Sequence, residues 1–474
     1  MTTDAPPAPS STPVLLAGDP VRSLDDYRRR GGLAGYEAAA ALGPTGVIEQ
    51  LTASGLRGRG GAGFPVGVKW GSIVAGGPAA GDRFVVANGA EGEPGTFKDR
   101  AILRHDPYPL VEGLLIAAET LGAARAFVAL KRSFAVEAER VAAAAMEFAA
   151  AGLGRGVSIE LVQGPDEYLF GEEKALLEVI EGEEPLPRLF PPYIYGLFSR
   201  SPQMGWSAGS TLDDADRDGS NPTLVNNIES LSLVPLILGR GVDWFRSTGT
   251  TESPGHLTCT VSGDTVRDGV GEYPMGTPLS TVIDELGGGL AAGRAVKYVL
   301  SGVSNPVIRA DHLDVPLTYE HVAAIGSGLG TAGFLVYDDR TDPVELAEAV
   351  SRFLAVESCG QCPACKLGTG RITEILASQT ALNDPELPIE APVLGELSAR
   401  LANVTDSSRC FLPAQAQRLV ASLVPDMRDP TLRTPKRGLL ITKIVDLVAG
   451  DGGGRFALDE RQRRKRPDWT YEPE

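Results

Sequence analysis

Cysteine is scarce, with five residues in a chain of 474. That excludes a secreted disulfide framework, which needs a dense, paired set. Histidine is scarcer still, at four: His105, His256, His312 and His321. None lies in a motif, and no Ser–His–Asp constellation is visible. Positive charge falls short as well. Lys and Arg total 44 against 61 Asp and Glu, a net charge of −17 and a pI near 4.9. Broad binding to nucleic acid or an anionic membrane is therefore not expected. A long apolar run is also missing. The best stretch, Leu110 to Ala129, is broken by Glu112, Glu119 and Arg125, so no bilayer span and no direct membrane insertion is expected. The first residues, MTTDAPPAPSSTP, lack the basic and apolar segments of a signal peptide. Export by that route is not expected.

What is present is ordinary globular material, 43% hydrophobic and 22% charged, enough for several cores. At roughly 150 residues per domain, about three domains are expected. Residues 1–20, rich in Pro, Ala, Ser and Thr, read as a disordered leader. A helical pattern from Ser23 to Gln50 is broken at Gly31-Gly32 and Gly43-Pro44. Strand and helix then alternate: strands at 83–88, 126–130 and 157–162, helices at 109–123, 136–150 and 171–181. That alternation predicts an α/β sheet with parallel strands. Ser199 to Pro222 has no period and reads as a long surface loop. A compact α+β unit is expected over 254–340, helices over 342–426, and then a tail with an apolar run (439–447) and a basic run (461–466).

The strongest chemical signal is Cys359-x2-Cys362-x2-Cys365, with Cys410 further on. Three thiolates on one tight loop and a distant fourth suit a cubane [4Fe–4S] cluster. Structural zinc usually pairs two C-x2-C elements and fits this split less well. Unligated cysteines are the third reading. Cys259, in an apolar strand, reads as a core residue.

Glycine is the second signal. The run Gly55 to Gly67 holds five glycines between Gly55 and Gly63, so backbone N–H groups can approach a phosphate or a flat ring. Arg57, Arg59 and Lys69 add positive charge. The formal G-x-G-x-x-G at Gly58, Gly60 and Gly63 is a poor dinucleotide fingerprint. A helical pattern precedes it, and Pro65 stands where a helix should open. A flexible loop is the alternative. Asn88-Gly89-Ala90-Glu91-Gly92-Glu93 follows a buried strand, where α/β sheets bind ligands. Tyr168 to Glu173 and Val225 to Glu229 could be N-capping chemistry and nothing more.

Taken together, the strings GLRGRGGAGFP, EGEPGTFKDR, GEEKALLEVIEG, VNNIESL, GSGLGTAG and ESCGQCPAC resemble the flavin- and NADH-binding subunit of respiratory complex I. The same subunit type occurs in NAD-linked hydrogenases and formate dehydrogenases. The resemblance covers about Ser23 to Pro425. It implies a Rossmann-like α/β domain for FMN and NADH (21–253), a small β-grasp α+β domain (254–340), a helical bundle carrying one [4Fe–4S] cluster (341–430), and a tail (431–474). By the same resemblance, Gly58, Arg59, Gly60, Gly61, Ala62, Gly63, Phe64 and Gly67 line the dinucleotide and flavin. Lys69, Asn88, Glu91, Tyr168, Gly171, Glu172, Val225, Asn226 and Asn227 surround FMN. Glu93 and Glu173 position NADH, and Cys359, Cys362, Cys365 and Cys410 hold the cluster. The implied activity is hydride transfer between NADH and FMN, then one-electron transfer to the cluster and on to a partner. That partner would be a separate thioredoxin-like [2Fe–2S] subunit or a ferredoxin, within a larger redox complex. The implied location is the cytoplasm, with attachment to the inner face of the membrane through partner subunits.

The chain departs from the family pattern in places. Ala90 stands where Asp is usual, Lys174 where Thr is usual, and Tyr193 where Phe is common. Gly71, Ser72 and Ile73 follow Trp70 where an aromatic is expected. The Ser199 to Pro222 loop is longer. From Ala90 and the missing aromatic, NADH is expected to reduce the flavin more weakly than in close relatives. The competing reading is an FMN/[4Fe–4S] electron-transfer subunit that has lost nucleotide binding and exchanges electrons with ferredoxin-like partners.

Overall fold

The computed structural model describes residues 12–75, 82–154, 156–199, 219–405, 409–448 and 454–460. The chain groups into two compact units. The first is residues up to Glu91, Phe97–Thr258 and Gly271–Thr277. The second is Gly92–Thr96, Cys259–Val270 and Pro278 onward.

The first unit opens with helices α1 (Leu24–Arg29) and α2 (Ala34–Ser54). Gly43, at φ +67°, kinks α2 just before Pro44. Next come α3 (Val66–Ala75), β1 (Phe84–Gly89), α4 (Lys98–His105), α5 (Tyr108–Leu121), β2 (Arg125–Lys131), α6 (Ala135–Ala150), β3 (Ser158–Gly164), α7 (Glu173–Ile180), β4 (Thr223–Asn227), α8 (Ile228–Arg240) and α9 (Val242–Arg246). The sheet order is β3-β2-β1-β4, and all three pairings are parallel. The expected parallel α/β sheet is present. Its central strands read as unbroken apolar runs because both faces are covered. Val85, Ala87, Ala126 and Val128 pack with α2, α5 and α8 residues such as Leu51, Leu114 and Leu231. Phe84, Val86, Phe127 and Ala129 pack on the other side with Phe170, Leu176 and Leu177. The strand order reverses between β1 and β4, so the two carboxyl ends flank a crevice of the kind that takes ligands in open α/β sheets.

Two expectations change here. Residues 12–20, read as part of a disordered leader, are held in place. Val14, Leu15 and Leu16 donate their N–H groups to one oxygen of Glu272 at 2.7–3.2 Å, and Leu15 is buried. Residues 1–11 lie outside the described residues. Pro65 does not stop a helix but precedes one: α3 begins at Val66, where a missing N–H costs nothing. Most of the expected surface loop, 200–218, lies outside the described residues.

Next along the chain come β5 (His256–Gly263), β6 (Gly269–Pro274), α10 (Leu279–Gly287), β7 (Val296–Ser301), β8 (Ile308–Arg309), α11 (Tyr319–Ala324) and β9 (Gly333–Asp338). A five-stranded sheet has the order β6-β5-β9-β7-β8. β5 and β9 run parallel, while β7 is antiparallel to β9 and β8. Cys259 is fully buried in β5. Helices α12 (Pro343–Glu357), α13 (Pro363–Leu382), α14 (Ala391–Asn403) and α15 (Leu412–Met427) follow. α12 packs on α13 and α15 through buried Leu346, Val350, Leu354, Ile372, Leu376, Leu419 and Leu423. A hairpin of β10 (Ile444–Val448) and β11 (Arg455–Leu458) closes the described chain.

Candidate functional site

The glycine run of the first unit is a built loop. Leu56 and Val66 are tied by a backbone bond of 2.9 Å, as are Gly58 and Phe64. Gly61 (φ +117°) and Gly63 (φ +62°) take backbone angles that L side chains rarely adopt. A Cβ on Gly60 would come within 3.1 Å of Asn227 Cβ. The loop thus lies against the carboxyl end of β4, and the flexible-loop alternative does not hold. Its arginines build it: Arg57 Nε donates to the Gly63 carbonyl at 2.8 Å. Arg59, read as a charge for an anion, is buried and donates to the His256 carbonyl at 2.9 Å. Burial, with Arg59 beside it, holds His256 down at about 4. Gly67 lacks a side chain for packing. A Cβ there would strike Thr52 of α2 at 2.4 Å. Gly60, Ala62 and Phe64 remain exposed.

Around this loop the sheet ends supply a network of satisfied polar groups. Asn88 donates to the Gly171 carbonyl at 2.9 Å, and a Cβ on Gly171 would reach 2.9 Å from the Ala90 carbonyl. Trp70 Nε1 donates to Asn226 Oδ1 at 2.8 Å. Asn227 caps α8 through Glu229 N–H at 3.0 Å, and Glu172 caps α7 through Lys174 and Ala175 N–H at 3.0 Å. Both capping readings hold, and capping leaves these residues at the same crevice. Burial pushes the Glu172 carboxyl up to about 7, against the pull of Lys174. Lys69 and Glu173 pair at 2.6 Å. Tyr168 sits in the short turn before α7, and Val225 is buried in β4.

Sequence reasoning missed a buried charge cluster behind this site. Glu91 accepts from Asp99 N–H at 2.9 Å and from Arg100 Nε at 3.0 Å. Lys98 meets Asp99 at 2.7 Å and Glu229 at 2.9 Å, and Asn227 donates to Asp99 at 2.6 Å. All five charged side chains are nearly solvent-free. Burial works against the charge on Lys98, but Asp99, Glu229 and Glu91 raise its pKa above the ordinary lysine value. The signal was Lys98-Asp99-Arg100 directly before the apolar Ala101-Ile102-Leu103.

Ala90 was read as a lost polar contact for the nucleotide. It lies in the apolar cluster with Phe84, Val86, Phe127 and Phe170, so its side chain is a core contact. Trp70 and Ile73 are fully buried, and Ser72 is exposed on α3.

In the second unit, Glu93 is held by the turn after β7. Its carboxylate accepts from Val303 N–H at 2.6 Å and Ser304 Oγ at 3.3 Å. A Cβ on Gly302 would strike it at 2.1 Å.

All four cysteines of the motif are buried. Gly360 (φ +66°) turns the loop, Cys362 caps α13, and Cys410 precedes Phe411 at the start of α15. Cys410 hydrogen-bonds to Cys359, and this, with burial, raises its thiol pKa far above normal. Burial pushes Cys365 up to about 11, with Cys359 and Cys362 adding to the rise. Two helix N-termini, those of α13 and α15, meet this set, an end that favours an anionic centre. Among the described residues no three His, Cys, Asp or Glu side chains are placed to share one metal ion. A four-iron cubane takes one thiolate at each corner, and the donor chemistry suits it.

Two family models match the chain: the Nuo51 FMN-binding domain over residues 51–236, and the NADH-ubiquinone oxidoreductase-F iron-sulfur binding region over 345–433. The first spans the glycine loop through Asn227, the second all four cysteines. The F subunit of the Streptomyces coelicolor NADH-quinone oxidoreductase is 38% identical over 378 residues, 77% of this chain and 79% of that one. The F 2 subunit of the Rhizobium meliloti NADH-quinone oxidoreductase is 38% identical over 384 residues, 77% and 85%. Among solved structures, an NAD+-reducing [NiFe]-hydrogenase in the air-oxidized state matches with a TM-score of 0.71 and 29% identity. The match covers 89% of this chain and 69% of that one.

Proposed function

Since the chain belongs to the family of the NADH-quinone oxidoreductase F subunit, we propose that it is the electron-input subunit of an NADH-oxidising complex. The observation that carries this reading is the glycine loop set against Asn227 at the reversal point of the parallel sheet. Bound FMN supplies hydride acceptance from NADH and a [4Fe–4S] cluster supplies one-electron acceptance; the protein binds and tunes them. Exposed Gly60 and Ala62 let backbone N–H groups approach the flavin phosphate or ring. Asn88, Asn226 and Asn227, fixed by their own hydrogen bonds, define the walls. Lys69 offers a charge on α3, and Glu173 a half-exposed carboxylate for a nucleotide hydroxyl or amide. Glu93 serves the nucleotide on this reading, held by Val303 and Ser304. Cys359, Cys362, Cys365 and Cys410 hold the cluster.

The order β6-β5-β9-β7-β8, with its parallel central pair, supports a β-grasp assignment for residues 254–340. The partner is a separate [2Fe–2S] protein, either a thioredoxin-like subunit or a ferredoxin. Among the described residues no helix is long and apolar enough to cross a membrane, and a cytoplasmic place with attachment through partner subunits fits the reading.

Anaerobic titration of the FMN-loaded protein with NADH tests it. Bleaching of the flavin band by NADH is expected. Bleaching by dithionite alone would favour the electron-transfer subunit that has lost nucleotide binding.

A further inference from the structure

The second family model ends at residue 433, yet residues 434–443 run on along the length of α12. Asp342, the N-cap of α12, takes Arg433 Nε at 2.7 Å and Thr434 N–H at 3.1 Å on its free oxygen. One turn on, Glu345 takes the backbone N–H groups of Arg437, Gly438 and Leu439 at 2.6–3.1 Å. At the far end Glu357, the last residue of α12, takes Lys443 Nζ at 3.0 Å. Lys443 and Glu357 are 12% and 6% exposed at their side chains, so this is a desolvated pair rather than a surface one. Ser358 and Cys359 follow at once. The three anchors tie the strap to both ends of the helix that delivers the cluster loop.

We propose that residues 433–443 are a clamp on the cluster domain, and that Lys443 is a positioning residue for the cluster. The clamp fixes the end of α12 from which the loop Ser358–Cys365 departs. The ammonium also balances a carboxylate two residues from the first cluster cysteine. Lys443→Met removes one positive charge from the neighbourhood of a carboxylate that lies two residues before Cys359. The net charge near the cluster becomes more negative, which disfavours the reduced, more negative cluster. The inference rests on the cluster reading above.

The test uses the full chain with its cofactors. Lys443→Met should move the cluster midpoint potential negative in an EPR-monitored titration, and should speed iron loss to bathophenanthroline several-fold. FMN content should hold. Glu357→Gln should shift the potential the opposite way, and the double variant should return close to the parent in both readouts. Lys443→Arg, which keeps the charge, should behave as the parent and guards against a simple folding failure. A Lys443→Met protein with a lower melting temperature but unchanged potential would overturn the positioning role. So would a double variant as impaired as the single. Absence of iron from the parent protein would overturn the cluster reading itself, and the clamp's role with it.

Discussion

On the proposed function, the glycine-loop region and the cysteine region solve the same problem, holding a redox group, in opposite ways. At the end of the parallel sheet the polar side chains are already satisfied: Asn226 by Trp70, Asn227 by Asp99 and the Glu229 backbone N–H, Glu91 by Arg100. What is left for a ligand is mostly backbone, exposed on Gly60 and Ala62. The cysteine region is the reverse. Its four thiols are buried, and burial holds Cys365 protonated at about 11. Their polarity is used only when a metal centre displaces the protons. A site of the first kind survives the loss of its ligand, and a site of the second kind depends on it.

Removing one corner of the cluster is the strongest test of that contrast. Cys362→Ala should abolish cluster binding and loosen α12, α13 and α15, because three thiolates leave one iron without its ligand. The flavin region should stay folded and keep FMN. Iron and acid-labile sulfide analysis checks the first part and flavin fluorescence the second. Unchanged iron content would break the assignment.

Gly61→Val attacks the other region. At φ +117° a β-branched residue is strained, and the loop can no longer present its backbone. FMN should be lost on gel filtration while iron content holds. A variant that stays yellow with full FMN would remove the loop from the flavin site.

Third in size is Glu91→Ala. It leaves the Arg100 guanidinium buried without its carboxylate, stacked on the rings of Phe97 and Phe134. Breaking such a pair costs about 3–5 kcal/mol. A lower melting temperature for the flavin region, with cluster content unchanged, is expected. A shift of under about 1 kcal/mol would be the size of a surface pair, and the region would not be prelocked as described.

Much of this contrast was legible in advance, and the reasons are local. The strand runs at 83–88 and 126–130 are apolar throughout because they are buried on both faces. The cysteine spacing suits what one loop can offer a cubane. What stayed hidden depended on distant partners. Arg59 reads as a free cation until the His256 carbonyl is found beside it. Glu345 reads as one acid among many until the strap at 437–439 arrives from 92 residues away. The apolar neighbours of Ala90, Phe84 and Phe127, come from two different strands and are not adjacent to it in sequence. Pro65 misled because a proline before a helix and a proline against one look alike in sequence.

The prelocked site also carries a pH signature. The Glu172 carboxyl titrates at about 7 in the folded chain, against 4.5 for the ordinary group. The folded state therefore binds this proton more tightly than the unfolded state. The resulting stability is fully present below about pH 4.5 and is lost as pH rises through about 7. At about 1.4 kcal/mol per pKa unit, the change is on the order of 3 kcal/mol. Glu172→Gln should flatten the pH dependence of the melting temperature in that window. An unchanged slope would show that this carboxyl is ionised in the folded chain, as its two N–H donors favour.

The smallest effect concerns the nucleotide. The missing aromatic after Trp70 is, with Ala90, one of the two departures expected to weaken NADH binding. Ser72 is the exposed candidate on α3, and its hydroxyl only bonds back to the Lys69 carbonyl at 2.7 Å. Ser72→Phe should therefore fold normally and add a ring on the helix that carries Lys69. An aromatic stack is worth about 0.5–1.5 kcal/mol, which is roughly twofold to tenfold in affinity. Anaerobic NADH titration of the flavin band should show a half-saturation lowered by that factor, with dithionite reduction and FMN content unchanged. No change would mean that position 72 does not face the nucleotide. Phe64, 52% exposed on the glycine loop, is then the ring to remove, and Phe64→Ala should raise the half-saturation by the same factor.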